Sequence, residues 1–256
     1  MDKELVTLRG DVWAARLQGH MSSLPHDIRR WMDENTRLLK VDKYSHCGLL
    51  RVGGDLCFLK FYADKSPLHK LADKVRMPTA LRSFEADAAL RWEEIPVAWP
   101  RACLRARGGY LLLSKGIEDS DTLLNLWQGG MQDDLAVHLM RTAGETLAAI
   151  HRAGLCHGDC KWSNVLWGGG VLYFIDLDAA RPAPPESRRQ ARDVARFVVN
   201  AEELAVDARY VEQFLDGYLR ETGDDREELV ERLQPQLRKL RGRVFKDYLF
   251  PPKPLA

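Results

Sequence analysis

Polar side chains that can hold a metal ion and a phosphate group are concentrated in the stretch HGDCKWSN, residues 157–164. Asp159 and Asn164 lie five residues apart on a predicted loop, and Asp176 follows at the end of the next strand, in GGGVLYFIDLD. Acidic and amide groups near buried strand ends are costly unless something binds them. The stretch therefore predicts a site for a metal and a phosphate.

Phosphoryl transfer is the chemistry that these residue types fit. It needs a cation on the nucleotide phosphates, ligands for Mg²⁺ and a group that orients the nucleophile. Asn164 and Asp176 offer the hard oxygen ligands that suit Mg²⁺. Asp159 is then available to accept a proton from a substrate hydroxyl. Lys161, two residues on, can offset charge on the transferred group.

The first part of the chain carries the strand patterns that must support such a site. Two β-rich runs, LLKVDKYSHCGLLRVGG and DLCFLKFYAD, flank a Gly53-Gly54-Asp55 turn that predicts a hairpin. A helix is predicted over PTALRSFEADAALRWEEI, and two more strands over VAWPRACLRARGGYLLLS turn at Gly108-Gly109. These elements predict a small, mostly antiparallel sheet with one helix.

The second part of the chain is mainly helical. The segment DDLAVHLMRTAGETLAAIHRAG predicts a long amphipathic helix that ends at Gly154. NVLWGGGVLYFIDLD predicts a second hairpin with its turn at 168–170. Further helices are predicted at about 187–205, 207–222 and 225–247.

These patterns predict an α+β fold with two lobes. An N-terminal extension covers 1–35, a small β-rich N-lobe covers 36–115, and a mainly helical C-lobe covers 116–256. The order of strands followed by helices is typical of this class.

These motifs make the chain resemble the protein-kinase-like superfamily. The pattern from His157 to Asn164, followed by FIDLD, is similar to the kinase catalytic loop H-R-D-L-x-x-x-N and its metal-binding strand, with Gly158 in place of Arg. The lobe order fits over roughly 36–205. The resemblance implies that Lys60, in CFLKFY, pairs with the nucleotide phosphates and that Glu85, on the N-lobe helix, is its ion-pair partner.

The sequence patterns for the remaining nucleotide contacts match the kinase motifs less well. The kinase glycine-rich loop is replaced by KYSHCGLLRVGG, where Ser45 and Gly48 are the residues left to approach the phosphates. Leu113 and Ser114, at the end of YLLLS, complete the predicted nucleotide-binding set. ATP and Mg²⁺ are the cofactors that this resemblance implies.

The sequence after the metal-binding strand narrows the choice of acceptor. AARPAPPESRRQARDVARF leads directly into a helix, with no A-P-E motif and almost no room for an activation segment. This argues against a protein substrate. The HGD loop, the IDLD strand and the ARDVARF helix resemble the heptose and Kdo kinases of the lipopolysaccharide core. The resemblance implies that His157 braces the loop, that Asp193 holds its backbone, and that a core sugar hydroxyl accepts the phosphate.

Two other functions stay open. The first is a soluble small-molecule phosphotransferase of the aminoglycoside or choline kinase type, which shares the H-G-D loop and lacks an activation segment. The second is a pseudokinase that binds a nucleotide or a partner without catalysis. The presence of Lys60, Asp159, Asn164 and Asp176 argues against the pseudokinase.

Composition and the chain ends bear on location and partners. A net charge of +1 gives no general attraction to nucleic acid. The N-terminus lacks an apolar signal region, and the five scattered cysteines are predicted to be free thiols in a reducing cytoplasm. The basic amphipathic segment 232–246 either lies on the inner membrane surface or caps the C-lobe, with Leu233, Leu237, Leu240 and Val244 on one side.

Overall fold

The computed structural model describes residues 5–21, 25, 27–64 and 77–246. The chain divides into two units, Met1–Ala89 with Ala98–Glu118 and Leu90–Val97 with Asp119–Ala256. In the ranges described, none of the helices combines the length and apolar character needed to cross a bilayer.

A six-stranded antiparallel sheet forms the first unit, in the order β1-β5-β6-β4-β3-β2. Its strands are β1 (Val6–Arg9), β2 (Arg37–Val41), β3 (Ser45–Val52), β4 (Asp55–Ala63), β5 (Pro100–Ala106) and β6 (Gly109–Lys115). The predicted hairpins are confirmed, because Val52 pairs with Asp55 and Ala106 pairs with Gly109. Gly53 and Gly54 both have positive φ, which fits the tight turn between β3 and β4.

Different helices cover the two faces of this sheet. Helices α1 (Asp11–His20) and α2 (Ile28–Asn35) contribute Ala14, Leu17, Ile28 and Met32 to a core with strand residues such as Leu59, Phe61 and Leu113. Helix α3 (Thr79–Trp92) packs Ala80 against Cys103 and Leu112 on the other face. The predicted N-terminal extension, in its described residues 5–21 and 27–35, thus supplies the edge strand β1 and part of a core.

Helices dominate the second unit. They are α4 (Leu123–Gln128), α5 (Asp133–Arg152), α6 (Arg188–Glu203), α7 (Ala208–Thr222) and α8 (Arg226–Val244). The predicted helix ends agree with these bounds to within a few residues. Gly154 follows α5 with a φ of +77°, which confirms its predicted place at the helix end.

Short strands carry the loops of the second unit. They are β7 (Ser120–Thr122), β8 (Leu155–Cys156), β9 (Val165–Gly168), β10 (Val171–Phe174) and β11 (Arg181–Pro182). Strand β9 pairs with β10 and with β7, and β11 pairs with β8. The predicted second hairpin is confirmed, since Gly168 pairs with Val171 across a turn at 169–170.

Two glycines let α5 and α7 approach closely. A Cβ on Gly144 would lie 2.0 Å from the carbonyl oxygen of Phe214, and one on Gly217 would lie 2.3 Å from that of Arg141. These distances are far below ordinary contact, so any larger residue would push the helices apart. The crossing matters because it supports side chains behind the loop that begins at His157.

The apolar side of α8 belongs to the core. Leu233, Leu237 and Leu240 are 0%, 0% and 7% exposed, and α8 packs against α6. Arg241 binds the buried carboxylate of Glu202 through two hydrogen bonds of 3.0 and 2.6 Å. Of the two roles considered for this segment, membrane binding and capping of the C-lobe, the buried leucines fit capping of the C-lobe.

Candidate active site

One buried carboxylate holds the start of the loop 157–164. Asp193, on α6, accepts the backbone N–H of His157 at 2.6 Å on Oδ2 and that of Gly158 at 2.9 Å on Oδ1. Asp193 is only 1% exposed. Backbone donors paired with a buried charge form strong, directional hydrogen bonds. This contact confirms the predicted role of Asp193 in holding the loop backbone.

Glycine at position 158 is required by the geometry of the loop. Gly158 has a φ of +85°, in the left-handed region where residues with a Cβ are strained. A Cβ there would lie 2.4 Å from the carbonyl oxygen of Ala179. An arginine, as in the kinase pattern, has no room at this position.

His157 braces the loop as a neutral imidazole. Its Nε2 lies 3.1 Å from the carbonyl oxygen of Ile175, so Nε2 carries the proton and donates it. Nδ1 then accepts the backbone N–H of Asp159 at 3.3 Å. Burial of the fully enclosed ring lowers the pKa of His157 below its usual value. Both ring nitrogens are engaged, which fits the bracing role predicted for His157.

Three of the predicted polar side chains meet on this loop. The Nζ of Lys161 lies 2.8 Å from Oδ2 of Asp159. The side-chain amide of Asn164 donates to the backbone oxygen of Asp159 at 3.0 Å and to its Oδ2 at 3.3 Å. The side chain of Asp159 is 40% exposed and that of Lys161 33%. The carboxylate is thus held in place but stays open to a ligand.

The β9–β10 hairpin brings Asn164 and Asp176 to neighbouring positions. Val165 pairs with Phe174, and the N–H of Ile175 donates to the backbone oxygen of Asn164 at 3.0 Å. Asp176 follows at once, with a φ of +65° that is uncommon for a residue other than glycine. Backbone conformations of this kind are concentrated at functional sites.

These two residues fit Mg²⁺ in their donor chemistry. Asn164 uses its amide Nδ2 to bind Asp159, which leaves the carbonyl Oδ1 as the atom suited to a metal. Asp176 is exposed and adds carboxylate oxygens. Mg²⁺ commonly takes one or two protein ligands of this type and completes its shell with water and substrate phosphates.

A buried network behind Asp193 was missed by the sequence reasoning. His151, on α5, places Nε2 3.4 Å from Oδ2 of Asp193 and Nδ1 2.8 Å from the hydroxyl of Tyr218, on α7. His151 and Tyr218 are 2% and 4% exposed. The sequence signal for this network was the position of His151, four residues after Leu147 on the apolar side of an amphipathic helix.

Lys60 lies inside the sheet of the first unit. It is 9% exposed on β4, where it pairs with Cys47 on one side and Leu112 on the other. Its Nζ lies 4.9 Å from the centre of the Tyr62 ring. Its side chain therefore lies on the sheet face where Ala80 of α3 packs, and it is not a solvated surface lysine.

The predicted ion pair between Lys60 and Glu85 is wrong. Glu85 is 39% exposed and its carboxylate lies 2.7 Å from Nε of Arg9. The buried side of α3 carries Ser83 and Asp87, which are 2% and 4% exposed. Positions 85 and 87 are about 200° apart around a helix axis. The buried acid of this helix is therefore Asp87.

The other predicted nucleotide residues have structural partners. The hydroxyl of Ser45 donates to Asp42 at 2.8 Å. A Cβ on Gly48 would lie 2.2 Å from Oγ1 of Thr36, so packing alone requires glycine there. Leu113 is fully buried in the core under α1 and α2 and is paired with Leu59 on β4 and Ala102 on β5. Ser114 is 3% exposed on the same strand.

Comparison with known sequences decides the family. The profile of the lipopolysaccharide kinase (Kdo/WaaP) family matches residues 72–218, more than half of the chain. The chain belongs to the lipopolysaccharide kinase (Kdo/WaaP) family. The matched region includes α3, the loop 157–164, the Asp176 turn and Asp193.

Curated relatives of this Kdo/WaaP-family chain include one that is named as a kinase. A probable serine/threonine-protein kinase BUD32 homolog of Archaeoglobus fulgidus is 25% identical over 178 residues, 66% of this chain and 87% of that protein. A probable bifunctional tRNA threonylcarbamoyladenosine biosynthesis protein of Methanobrevibacter smithii is 23% identical over 166 residues. That match spans 63% of this chain and 31% of that protein.

The fold has a counterpart among solved structures. WaaP in complex with acyl carrier protein aligns with a TM-score of 0.57 and 18% identity, over 85% of this chain and 98% of that one. The predicted α+β kinase-like fold is therefore confirmed, with a β-sheet N-terminal region and a helical C-terminal region. Together with the family, it confirms the predicted enzyme class, a phosphotransferase of the kinase type.

Proposed function

We propose that this chain transfers the γ-phosphate of ATP to a sugar hydroxyl, heptose or Kdo, of a lipopolysaccharide core. Membership of the lipopolysaccharide kinase family is the observation that carries the proposal. The loop 157–164 supplies the chemistry, since it places a cation and an amide within hydrogen-bond distance of one carboxylate, that of Asp159.

Asp159 orients the acceptor hydroxyl in this mechanism. Its carboxylate is positioned by Asn164 and Lys161, and it is exposed enough to receive a hydroxyl proton. Lys161 lies 2.8 Å from that carboxylate, so its charge acts close to the attacking oxygen and the transferred group. Most of the rate enhancement in phosphoryl transfer comes from such positioning and charge stabilisation.

Oδ1 of Asn164 and the carboxylate of Asp176 would hold Mg²⁺. When bound, the ion neutralises charge on the β- and γ-phosphates of the nucleotide. The hydrogen bond from Asn164 to Asp159 fixes the amide orientation, and the Ile175 N–H contact holds the Asp176 turn beside it. These contacts preorganise the oxygen ligands before the nucleotide arrives.

Lys60 is assigned to the nucleotide phosphates. Its burial on β4 favours a charged partner, because a buried ammonium group needs one. Asp87, the buried acid of α3, takes the supporting role first predicted for Glu85. The end of β6, which carries Leu113 and Ser114, is the proposed place for the base.

A short segment after Asp176 favours a compact acceptor. Residues 177–187 contain a 3₁₀ turn (Leu177–Ala179) and β11, which pairs with β8 before α6 begins at Arg188. An extended activation segment of the kind that supports peptide substrates does not fit in this length. The likeness to the BUD32 homolog nevertheless favours a protein hydroxyl as the second candidate acceptor.

The enzyme is proposed to act at the inner face of the cytoplasmic membrane. Arg238, Lys239, Arg243 and Lys246 are exposed on α8 and just beyond it. Since the leucines of α8 are buried, we infer that these exposed charges, rather than apolar side chains, face anionic lipid. Each cation near an anionic surface contributes about 1 kcal/mol.

Acceptor competition tests the proposal. The purified chain is given radiolabelled ATP and Mg²⁺ with lipopolysaccharide core lacking phosphate, with aminoglycosides and choline, or with serine-containing protein. Label in the core glycan, assigned to heptose or Kdo by mass spectrometry, is the expected result. Label confined to the soluble compounds or to protein would move the function to that class, and ATP binding without transfer to any acceptor would indicate a pseudokinase.

A further inference from the structure

In the turn between β2 and β3, a side-chain carboxylate binds the backbone amides that could otherwise bind an anion. The carboxylate of Asp42 accepts the N–H of Tyr44 at 2.9 Å, the N–H of Ser45 at 2.8 Å and the hydroxyl of Ser45 at 2.8 Å. These hydrogen bonds, of which the one from the N–H of Tyr44 has the largest effect, lower the pKa of Asp42 to about 2. The Asp42 carboxylate is therefore charged near neutral pH. In a glycine-rich loop, backbone amides point at the phosphates. Here, the amides of Tyr44 and Ser45 already bind the carboxylate of Asp42.

The glycine that remains in this region has a different purpose. Gly48 lies within β3, opposite Leu38 and Leu59, where Thr36 leaves no space for a side chain. A kinase glycine-rich loop uses several glycines to bring the backbone close to the phosphates. Neither the Tyr44 and Ser45 amides nor Gly48 is available in that way, so the phosphates need another partner on this side of the sheet.

Strand register places a second lysine in line with Lys60. After a register shift between Leu38 and Lys40, Lys40 on β2 pairs with Cys47 on β3, and Cys47 pairs with Lys60 on β4. Directly paired residues lie on the same face of a sheet. Two strand spacings of about 4.8 Å place Lys40 roughly 10 Å from Lys60 across that face.

Lys40 is accessible and only weakly held. Its side chain is 70% exposed, and its Nζ lies 3.7 Å from Oδ2 of Asp42. An exposed ion pair at this distance contributes little to stability, so the ammonium group can leave Asp42 for a ligand. Asp42 keeps its three hydrogen bonds from Tyr44 and Ser45 when it does.

We propose that Lys40 is a second phosphate-binding lysine, which replaces the missing glycine-rich loop as the partner of the nucleoside triphosphate on β2. The inference rests on the proposed function, because it assumes that a nucleotide binds the face that carries Lys60. Lysine acts on phosphate as a point charge and needs no close backbone approach. The occupied amides of the turn and the position of Gly48 are compatible with this arrangement.

Nucleotide affinity measured by calorimetry tests the role of Lys40. Lys40→Ala should weaken ATP binding by about tenfold, the effect of one charge-assisted hydrogen bond. Adenosine, which has no phosphates, should bind Lys40→Ala and the original chain equally. Lys40→Arg should recover most of the ATP affinity because it keeps the charge. In kinetics, Lys40→Ala should raise KM for ATP more than it lowers kcat.

Two variants separate this role from general loss of charge and from failure of the proposed function. Arg30→Ala removes an exposed cation from α2, on the opposite face of the sheet, and should leave ATP affinity unchanged. Lys60→Ala is the positive control and should weaken ATP binding. Unchanged ATP affinity in Lys40→Ala, beside a loss in Lys60→Ala, would overturn the inference and leave the kinase function intact. No MgATP binding by the original chain would overturn the proposed function itself.

Discussion

At the scale of single residues, the loop 157–164 separates the groups that hold it from the groups that can react. Asp193 and His157 are buried and use their polar atoms on backbone partners within the protein. Asp159 and Lys161 are partly exposed and contact each other. A residue committed to several buried hydrogen bonds is poorly suited to change partners during a reaction. Asp159 is therefore the best candidate for the group that meets the acceptor.

Replacing Asp159 by Asn tests that assignment. The amide keeps the size and can still accept the hydrogen bond from Asn164, but it cannot take up the hydroxyl proton. We expect kcat to fall by at least ~10²-fold while ATP affinity, measured by calorimetry, stays nearly the same. Asp134→Asn, on the exposed first turn of α5, is the matched control and should have normal turnover. Normal turnover in Asp159→Asn would remove Asp159 from the mechanism.

The neutral state of His157 gives stability a pH dependence. Burial lowers its pKa in the folded chain, whereas an unfolded histidine titrates near its ordinary 6.5. The unfolded state then binds more protons, so the contribution of His157 is fully present above pH 6.5 and is lost as the pH falls. The free energy of unfolding should decrease by up to about 1.4 kcal/mol per pH unit below that point.

Denaturant unfolding at several pH values measures this effect. His157→Gln removes the titrating group, so its stability should vary less between pH 5 and 6.5 than that of the original chain. His138→Gln, which replaces an exposed histidine on α5, is the control and should retain the full slope. An equal slope in the original chain and His157→Gln would mean that His157 is not the group responsible.

At the scale of elements, the sequence was informative where the signal is local. Gly53-Gly54 and Gly169-Gly170 are turn residues with positive φ, and both hairpins were predicted from them. Apolar periodicity gave α5 and the helices after Asp178 because each buries one side against a neighbour. Such features depend on residues close together in the chain, which is why a single sequence suffices.

Features that depend on distant contacts were not predictable. Strand β1 pairs with β5, about a hundred residues later, and no local pattern marks residues 1–35 as part of a core. Glu85 and Asp87 share one helix with similar local surroundings, and only the packing of α3 shows that Asp87 is the buried acid. The partnership of His151 with Asp193 and Tyr218 likewise joins three helices.

The close crossing of α5 and α7 gives a test at this scale. Gly144→Ala should destabilise the chain by about 1–3 kcal/mol, because its Cβ meets the Phe214 carbonyl and the helices must separate. Gly242→Ala, in α8 with no atom within 4 Å of the added Cβ, should instead stabilise it by about 0.5–1 kcal/mol. Denaturant titration of both variants measures the difference, and equal effects would contradict the crossing.

At the scale of the whole molecule, the structure changes how attachment to a membrane must be argued. The amphipathic pattern at 232–246 suggested insertion of apolar side chains, but Leu233, Leu237 and Leu240 are buried within the protein. Arg241 and Arg232 are also committed, to Glu202 and Asp224 respectively. What remains for lipid is a small set of exposed cations, and such attraction weakens with salt.

Reversing the exposed cations tests whether they bring the enzyme to a lipid-linked acceptor. Arg238, Lys239 and Arg243 are changed together to Glu, and Arg241 is left in place because it holds Glu202. We expect the triple variant to lose salt-sensitive binding to anionic liposomes. Its activity should fall more on membrane-bound core than on the same glycan freed of lipid, because surface binding raises the local concentration of acceptor without changing the catalytic loop. Equal loss on both acceptors would assign these residues to the fold or the active site and would exclude the membrane role.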